Sequence, residues 1–179
     1  MKRWSITLLT LLCVGIVSGV FADGIRNLDA RLRGFQEVPA ISSTGRGTFE
    51  ARINRDETAV DWTLTYAALE GDVLQAHIHF GQRDVNGGIS VFFCSNLGNG
   101  PAGTQLCPPA PATVSGTFTA TDVIGPAVQG IAPGELAELI AAIRAGKAYA
   151  NVHSTRNPGG EIRGQIGAGG SNDDHSGHQ

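Results

Sequence analysis

The sequence predicts an all-β domain, an antiparallel sandwich or barrel of about eight short strands with one short crossover helix. Three observations predict it. Apolar and polar residues alternate over short runs, the 25 glycines punctuate the sequence between those runs, and a single stretch repeats its apolar residues at helical spacing. No internal repeat and no linker divides the chain, so one domain is expected.

The N-terminus sets where that domain works. Lys2 and Arg3 precede an apolar run over residues 4–17, and Val20 and Ala22 offer the small or short aliphatic residues that a signal peptidase accepts. Residues 1–22 therefore read as a secretory signal peptide. The apolar run is shorter than the ~20 residues of a bilayer-spanning helix, so the mature form is expected to have no membrane span. Residues 23–166 form the β domain. Residues 167–179, mostly Gly, Ser, Asp and His, read as a disordered tail. Loss of Lys2 and Arg3 leaves 11 basic against 16 acidic residues, a net charge of −5. That disfavours nucleic acid and anionic membranes, which attract positive surfaces. Cys13 leaves with the signal, and Cys94 and Cys107 remain as an even pair in an oxidising compartment, hence a disulfide.

Each element has its own signature. Phe49, Ala51 and Ile53 alternate with Glu50 and Arg52; Val60, Trp62, Leu64 and Tyr66 alternate with Asp61, Thr63 and Thr65. The polar residues 54–57 between them make the turn of a hairpin. Ala76, Ile78 and Phe80 alternate with Gln75, His77 and His79. Residues 89–93 are more continuously apolar, which fits a strand covered on both sides or lying near a sheet edge. Residues 95–113, with four prolines, form a long loop that needs its disulfide to be held. Val114, Gly116, Phe118 and Ala120 resume the alternation. Pro133 then opens a helix over about residues 134–145, with Leu136, Leu139, Ile140 and Ile143 on one face and Gly146 at its end. The last two strands, 147–153 and 161–166, flank Asn157, Pro158, Gly159 and Gly160, where Pro before Gly has type II turn chemistry.

Four motifs occur in order: Gly34-Phe35-Gln36-Glu37-Val38-Pro39, Ala76-His77-Ile78-His79-Phe80-Gly81, Tyr149-Ala150-Asn151-Val152-His153-Ser154, and residues 157–166 with Asn157-Pro158-Gly159-Gly160-Glu161. Together, over residues 29–166, they resemble the CHRD domain, named for chordin and common in exported bacterial proteins. The resemblance implies an immunoglobulin-like β architecture and an extracellular setting. It implies no catalytic residues. The excursion from Cys94 to Cys107 resembles an insertion in that pattern.

Strand periodicity places candidate site residues. His77 and His79 project from one face of their strand; Tyr149, Asn151 and His153 share a face of the penultimate strand. If those strands are neighbours, His77, His79 and His153 converge, and three neutral imidazoles suit copper or zinc. The His-Ile-His strand is locally similar to the copper-binding strand of copper/zinc superoxide dismutases, whose other ligands and zinc loop are not recognisable here. Equally, the histidines can hydrogen-bond to Glu161, Asn151 or Gln165 and order the sheet, or act as acids and bases without metal. Glu161 and Arg163 share a face with Gln165, as a cross-strand ion pair or as support for a site. Glu37 reads as a buried carboxylate paired with an arginine. Asp173, Asp174, His175 and His178 could chelate metal weakly from the tail.

No nucleophile elbow, carboxylate pair or phosphate loop assigns an enzyme activity. Two functions follow: an extracellular binding or structural module for an unidentified protein or matrix partner, and a copper- or zinc-binding protein, with possible redox activity. Mass spectrometry of the exported chain should show an N-terminus at Asp23; retention of residues 1–22 would contradict the signal-peptide reading.

Overall fold

The computed structural model describes residues 24–169. The expected signal peptide lies outside the described residues, as do residues 170–179 of the expected tail, whereas Gly167 and Ala168 of that tail pair as a short strand with Asp29 and Leu28. Among the described residues nine strands, all antiparallel, form one sheet: β1 (Asn27–Arg33), β2 (Arg46–Ile53), β3 (Ala59–Ala67), β4 (Val73–Phe80), β5 (Gly88–Ser95), β6 (Ala112–Thr119), β7 (Ala148–Ser154), β8 (Ile162–Gln165) and β9 (Gly167–Ala168). The order is β5-β4-β7-β8-β1-β2-β3-β6, with β9 paired to β1. The sheet curls into a nearly closed barrel whose seam lies between β5 and β6. No described helix is long and apolar enough to cross a membrane.

Alternation built these strands. In β2 every second residue is buried, so Phe49, Ala51 and Ile53 fill the barrel while Glu50 and Arg52 face outward. β3 pairs with it in register, Phe49 opposite Leu64 and Ile53 opposite Val60. The intervening turn is held by Asn54, whose Oδ1 accepts from the backbone of Thr58 and Ala59. β1 is a strand the motif analysis did not single out. Its signal is present, because Leu28, Ala30 and Leu32 are buried and alternate with polar neighbours. The helix α1 (Leu136–Arg144) buries Leu136, Leu139, Ile140 and Ile143 against the core, as the spacing predicts.

The 95–111 loop closes the seam. The strand at 89–93 is indeed at a sheet edge, as β5. The loop is tied back to β5 by the Cys94–Cys107 disulfide and by a reciprocal pair, Asn96 Nδ2 to the Cys107 carbonyl and the Cys107 amide to Asn96 Oδ1. From it Gln105 reaches across the gap: its amide donates to the carbonyls of Phe93 on β5 and Ser115 on β6, both at 3.2 Å. Behind it Trp62 packs on Phe93 and Phe118 at 4.8 and 5.0 Å between ring centroids.

One local expectation is corrected. The 157–160 turn carries its positive φ at Gly160 (134°), not at Gly159 as a type II turn would require. The Gly160 amide still closes the turn on the Asn157 carbonyl at 3.1 Å. A β-carbon on Gly160 would stand 2.6 Å from the Glu37 carboxylate, so the site needs Gly both for conformation and for close approach.

Replacing Cys94 and Cys107 together by Ser should lower unfolding free energy by about 2–3 kcal/mol, read by urea denaturation. A loss below about 0.5 kcal/mol would mean that the loop is held by its hydrogen bonds alone.

Candidate metal centre

Strands β4, β7 and β8 lie side by side, and their outer faces carry the histidines, Tyr149, Asn151 and Arg163. Polar they are; solvated they are not. Every residue of β7 is buried. Its inner residues Ala148, Ala150 and Val152 join the barrel core, and its outer residues Tyr149, Asn151 and His153 are covered as well. The covering comes from three loops, residues 34–41, 82–87 and 157–160. Asn86 donates to the Val38 carbonyl and joins the first two. Arg163, only 1% exposed, donates to the carbonyls of Gln82 and Val85 at 2.9 Å and holds the second onto the sheet.

Under these loops His77, His79 and His153 converge. They are 0%, 7% and 6% exposed. One nitrogen from each lies within 4.8 Å of the other two. The register explains the meeting: β4 and β7 pair directly, with His77 opposite Asn151, His79 opposite Tyr149 and Gln75 opposite His153, so His153 sits diagonally across from His77.

Hydrogen bonding decides the tautomers. His79 Nδ1 is 3.0 Å from the Gly87 carbonyl, and His153 Nδ1 is 2.9 Å from the Pro158 carbonyl. A carbonyl only accepts, so both Nδ1 atoms carry protons and both Nε2 atoms carry lone pairs. His77 Nδ1 lies 3.2 Å from His153 Nε2 and donates to it. The Nε2 atoms of His77 and His79 are buried with no hydrogen-bond partner among the described residues. Leaving such acceptors unsatisfied costs about 1–3 kcal/mol each. The loop position is demanding too: a β-carbon on Gly87 would stand 1.7 Å from the Phe80 carbonyl oxygen, so no side chain fits there.

Burial also keeps the rings neutral. Desolvation pulls the His77 pKa down to about 2, helped by His153 and His79. Desolvation likewise brings His79 down to about 4, against the pull of the Gly87 hydrogen bond, and lowers His153. Near neutral pH these groups present lone pairs and give up no acid proton. That chemistry suits metal ligation better than acid–base catalysis.

The surrounding residues take parts the sequence did not reveal. Tyr149 stacks on His79, 4.9 Å between centroids and 3° from parallel. Because β7 lies between β4 and β8, the Arg163 guanidinium covers the ring's other side at 3.5 Å. The Tyr149 hydroxyl oxygen accepts from the Gly87 amide at 3.2 Å, so the residue that orients His79 also anchors Tyr149. Phe92 of β5 meets His77 edge-on at 4.3 Å, a neighbour missed because 89–93 reads as plain apolar strand.

The expected hydrogen-bond partners of the histidines serve elsewhere. Glu161 accepts from the Ser43 and Ser154 hydroxyls and the Glu70 amide. It is not ion-paired with Arg163, whose hydrogen bonds go to the 82–87 loop. Asn151 donates to Glu37 at 2.5 Å and to the Ile162 carbonyl at 2.9 Å. The Gln165 amide nitrogen donates to the carbonyls of Gly81, Gly146 and Ala148. Glu37 is buried as expected, but an amide and not an arginine is its hydrogen-bond partner. Burial pushes its pKa up to about 7 despite Asn151 and the more distant charge of Arg163.

A curled antiparallel barrel with a buried polar layer outside it defines a small β module. The family model of the CHRD domain matches residues 28–166, and the chain belongs to that family. No curated protein and no solved structure matches the chain significantly.

The two kinds of buried titratable group have opposite pH signatures. An unfolded imidazole takes a proton below about 6.5, whereas folded His79 and His77 resist until about 4 and about 2. Their contribution is therefore complete above 6.5 and is lost as pH falls. Glu37, raised from 4.5 to about 7, stabilises fully below 4.5 and loses that contribution as pH rises to about 7. The melting temperature of Glu37→Gln relative to the parent should thus climb between pH 4.5 and 7. A pH-independent difference would show that Glu37 is not held protonated.

Proposed function

We propose that this exported β module binds one copper or zinc ion through His77, His79 and His153. The observation that carries the reading is the set of three buried imidazoles, each with a nitrogen within 4.8 Å of the others, two of them with Nδ1 committed to a backbone carbonyl. Ligating histidines are commonly oriented through the second ring nitrogen in this way. The 3.2 Å between His77 Nδ1 and His153 Nε2 is close to the ~3.3 Å edge of a tetrahedron with metal–nitrogen bonds of about 2.0–2.1 Å. His77 can offer Nε2 as it stands, or Nδ1 after its proton moves to Nε2. A bound ion would supply Lewis-acid or, for copper, one-electron chemistry at whatever position the protein leaves open. Tyr149 and Arg163 support the reading by stacking against His79, and Asn151 by tying β7 to Glu37 of the 34–41 loop.

In the other reading the imidazoles only order the outer face, and the module works through contact with an extracellular protein or matrix partner. Metal titration of the chain purified without an affinity tag separates the two. One ion per chain is expected, and stability should rise by about 2.7 kcal/mol at a free metal concentration a hundred times Kd. Single replacement of His77, His79 or His153 by Ala should abolish that gain, while replacing His175 and His178 should not. Because the folded rings stay neutral, proton competition is expected to set in toward pH 4, where His79 titrates, and not near the free imidazole value. No bound metal, no shift in melting and an equal loss of apo stability in all three variants would decide for the purely structural role.

A further inference from the structure

Resting on that metal-site reading, we infer that the centre is built for a monovalent cation and selects Cu(I) over Zn(II). The ligand cluster contains three histidines and neither a carboxylate nor a thiolate, so it contributes no negative charge. The groups that orient His79 and His153 are the carbonyls of Gly87 and Pro158, which are neutral as well. A fixed cation stands close to the rings: Arg163 lies over Tyr149, which stacks on His79. Phe92 closes the side next to His77 with a ring edge. Two buried carboxyls stand one residue away, Glu37 bonded to Asn151 opposite His77 and Glu161 bonded to Ser154 next to His153, and neither hydrogen-bonds a ring of the cluster.

Charge decides what such a pocket accepts. The cost of removing an ion from water rises with the square of its charge, so a dication suffers about four times the desolvation penalty of a monocation of like size. Its repulsion from Arg163 is doubled as well. Zinc centres of three histidines recover this cost through a bound hydroxide and carboxylates behind the ligands. Here the residues behind the ligands are carbonyls and aromatic rings. Cu(I) needs no fourth ligand and no compensating anion, and imidazole is a suitable donor for copper.

Gln75 provides the test. It is half-buried, lies on the same face of β4 as His77 and His79, and stands opposite His153 in the register. The full chain is titrated at pH 7 with Zn(II), and separately with Cu(I) against a cuprous chelator. Ascorbate is the reductant, because it leaves the disulfide closed. A parallel set carries replacements of His175 and His178. Cu(I) should bind at least about a hundredfold more tightly than Zn(II), and Gln75→Glu should narrow that ratio about tenfold by placing an anion at the strand position opposite His153. Zn(II) binding as tightly as Cu(I) would overturn the selectivity and leave the metal site standing. A ratio unmoved by a folded Gln75→Glu protein would overturn the electrostatic cause. Neither ion binding would sink the metal site itself. The parent comparison remains decisive even if the variant fails to fold.

Discussion

Strand β7 is buried on both faces, and the organisation of the molecule follows from that constraint. A strand in an antiparallel barrel ordinarily turns alternate residues to water, which satisfies whatever polar groups they carry. Tyr149, Asn151 and His153 have no such solvent. Each must find a partner inside the protein or remain unsatisfied, at a cost comparable to a lost hydrogen bond. The 34–41, 82–87 and 157–160 loops supply those partners mainly through backbone groups, and so they pack down instead of projecting outward. Gly87 is the clearest case, since its carbonyl accepts a hydrogen bond from His79 Nδ1 while its amide donates to the Tyr149 hydroxyl oxygen.

The result is two cores of different chemistry on opposite sides of one sheet. The inner core is aliphatic and aromatic and gains its stability from apolar burial. The outer layer contains Glu37, His77, His79, Asn151, His153, Glu161 and Arg163, all buried. Such a layer adds little net stability, because desolvation offsets much of what its hydrogen bonds return. What it gives is definition. Arg163 binds one loop, Glu161 gathers Ser43, Glu70 and Ser154, and the imidazoles are left in known tautomers with their lone pairs gathered in one place.

Barrel closure is a separate problem with a separate solution. The sheet stops between β5 and β6, exposing two strand edges that would otherwise invite pairing with another chain. The 95–111 loop covers them, with Gln105 bridging Phe93 and Ser115 and the disulfide holding the loop in place. An apparent insertion thus completes the barrel. It also backs β5, the strand that brings Phe92 against His77.

Much of this was legible from residue order. Alternation in 49–53, 60–66 and 76–80 identifies strands because the side-chain period of a strand is fixed by backbone geometry, and Leu136, Leu139, Ile140 and Ile143 identify the helix for the same reason. The pairing of Cys94 with Cys107 was expected once Cys13 was assigned to a signal peptide, and the two are disulfide-bonded. The common face of His77 and His79 is likewise a matter of period. What periodicity cannot state is which strands become neighbours, or what lies over a face once they do. The meeting of His153 with His77, the loss of water from the outer face, and the transfer of Glu161, Asn151 and Gln165 to other partners depend on loops folding back across three strands. These contacts join residues far apart in the chain, such as Glu37 with Asn151 and Gln82 with Arg163, through backbone carbonyls that every residue possesses. By itself the sequence determined the strands, the helix, the disulfide and the candidate ligands, because these depend on local spacing and residue type. Only the tertiary structure decided that His77, His79 and His153 converge, neutral and buried, because convergence depends on long-range register and on backbone groups that carry no mark in the sequence.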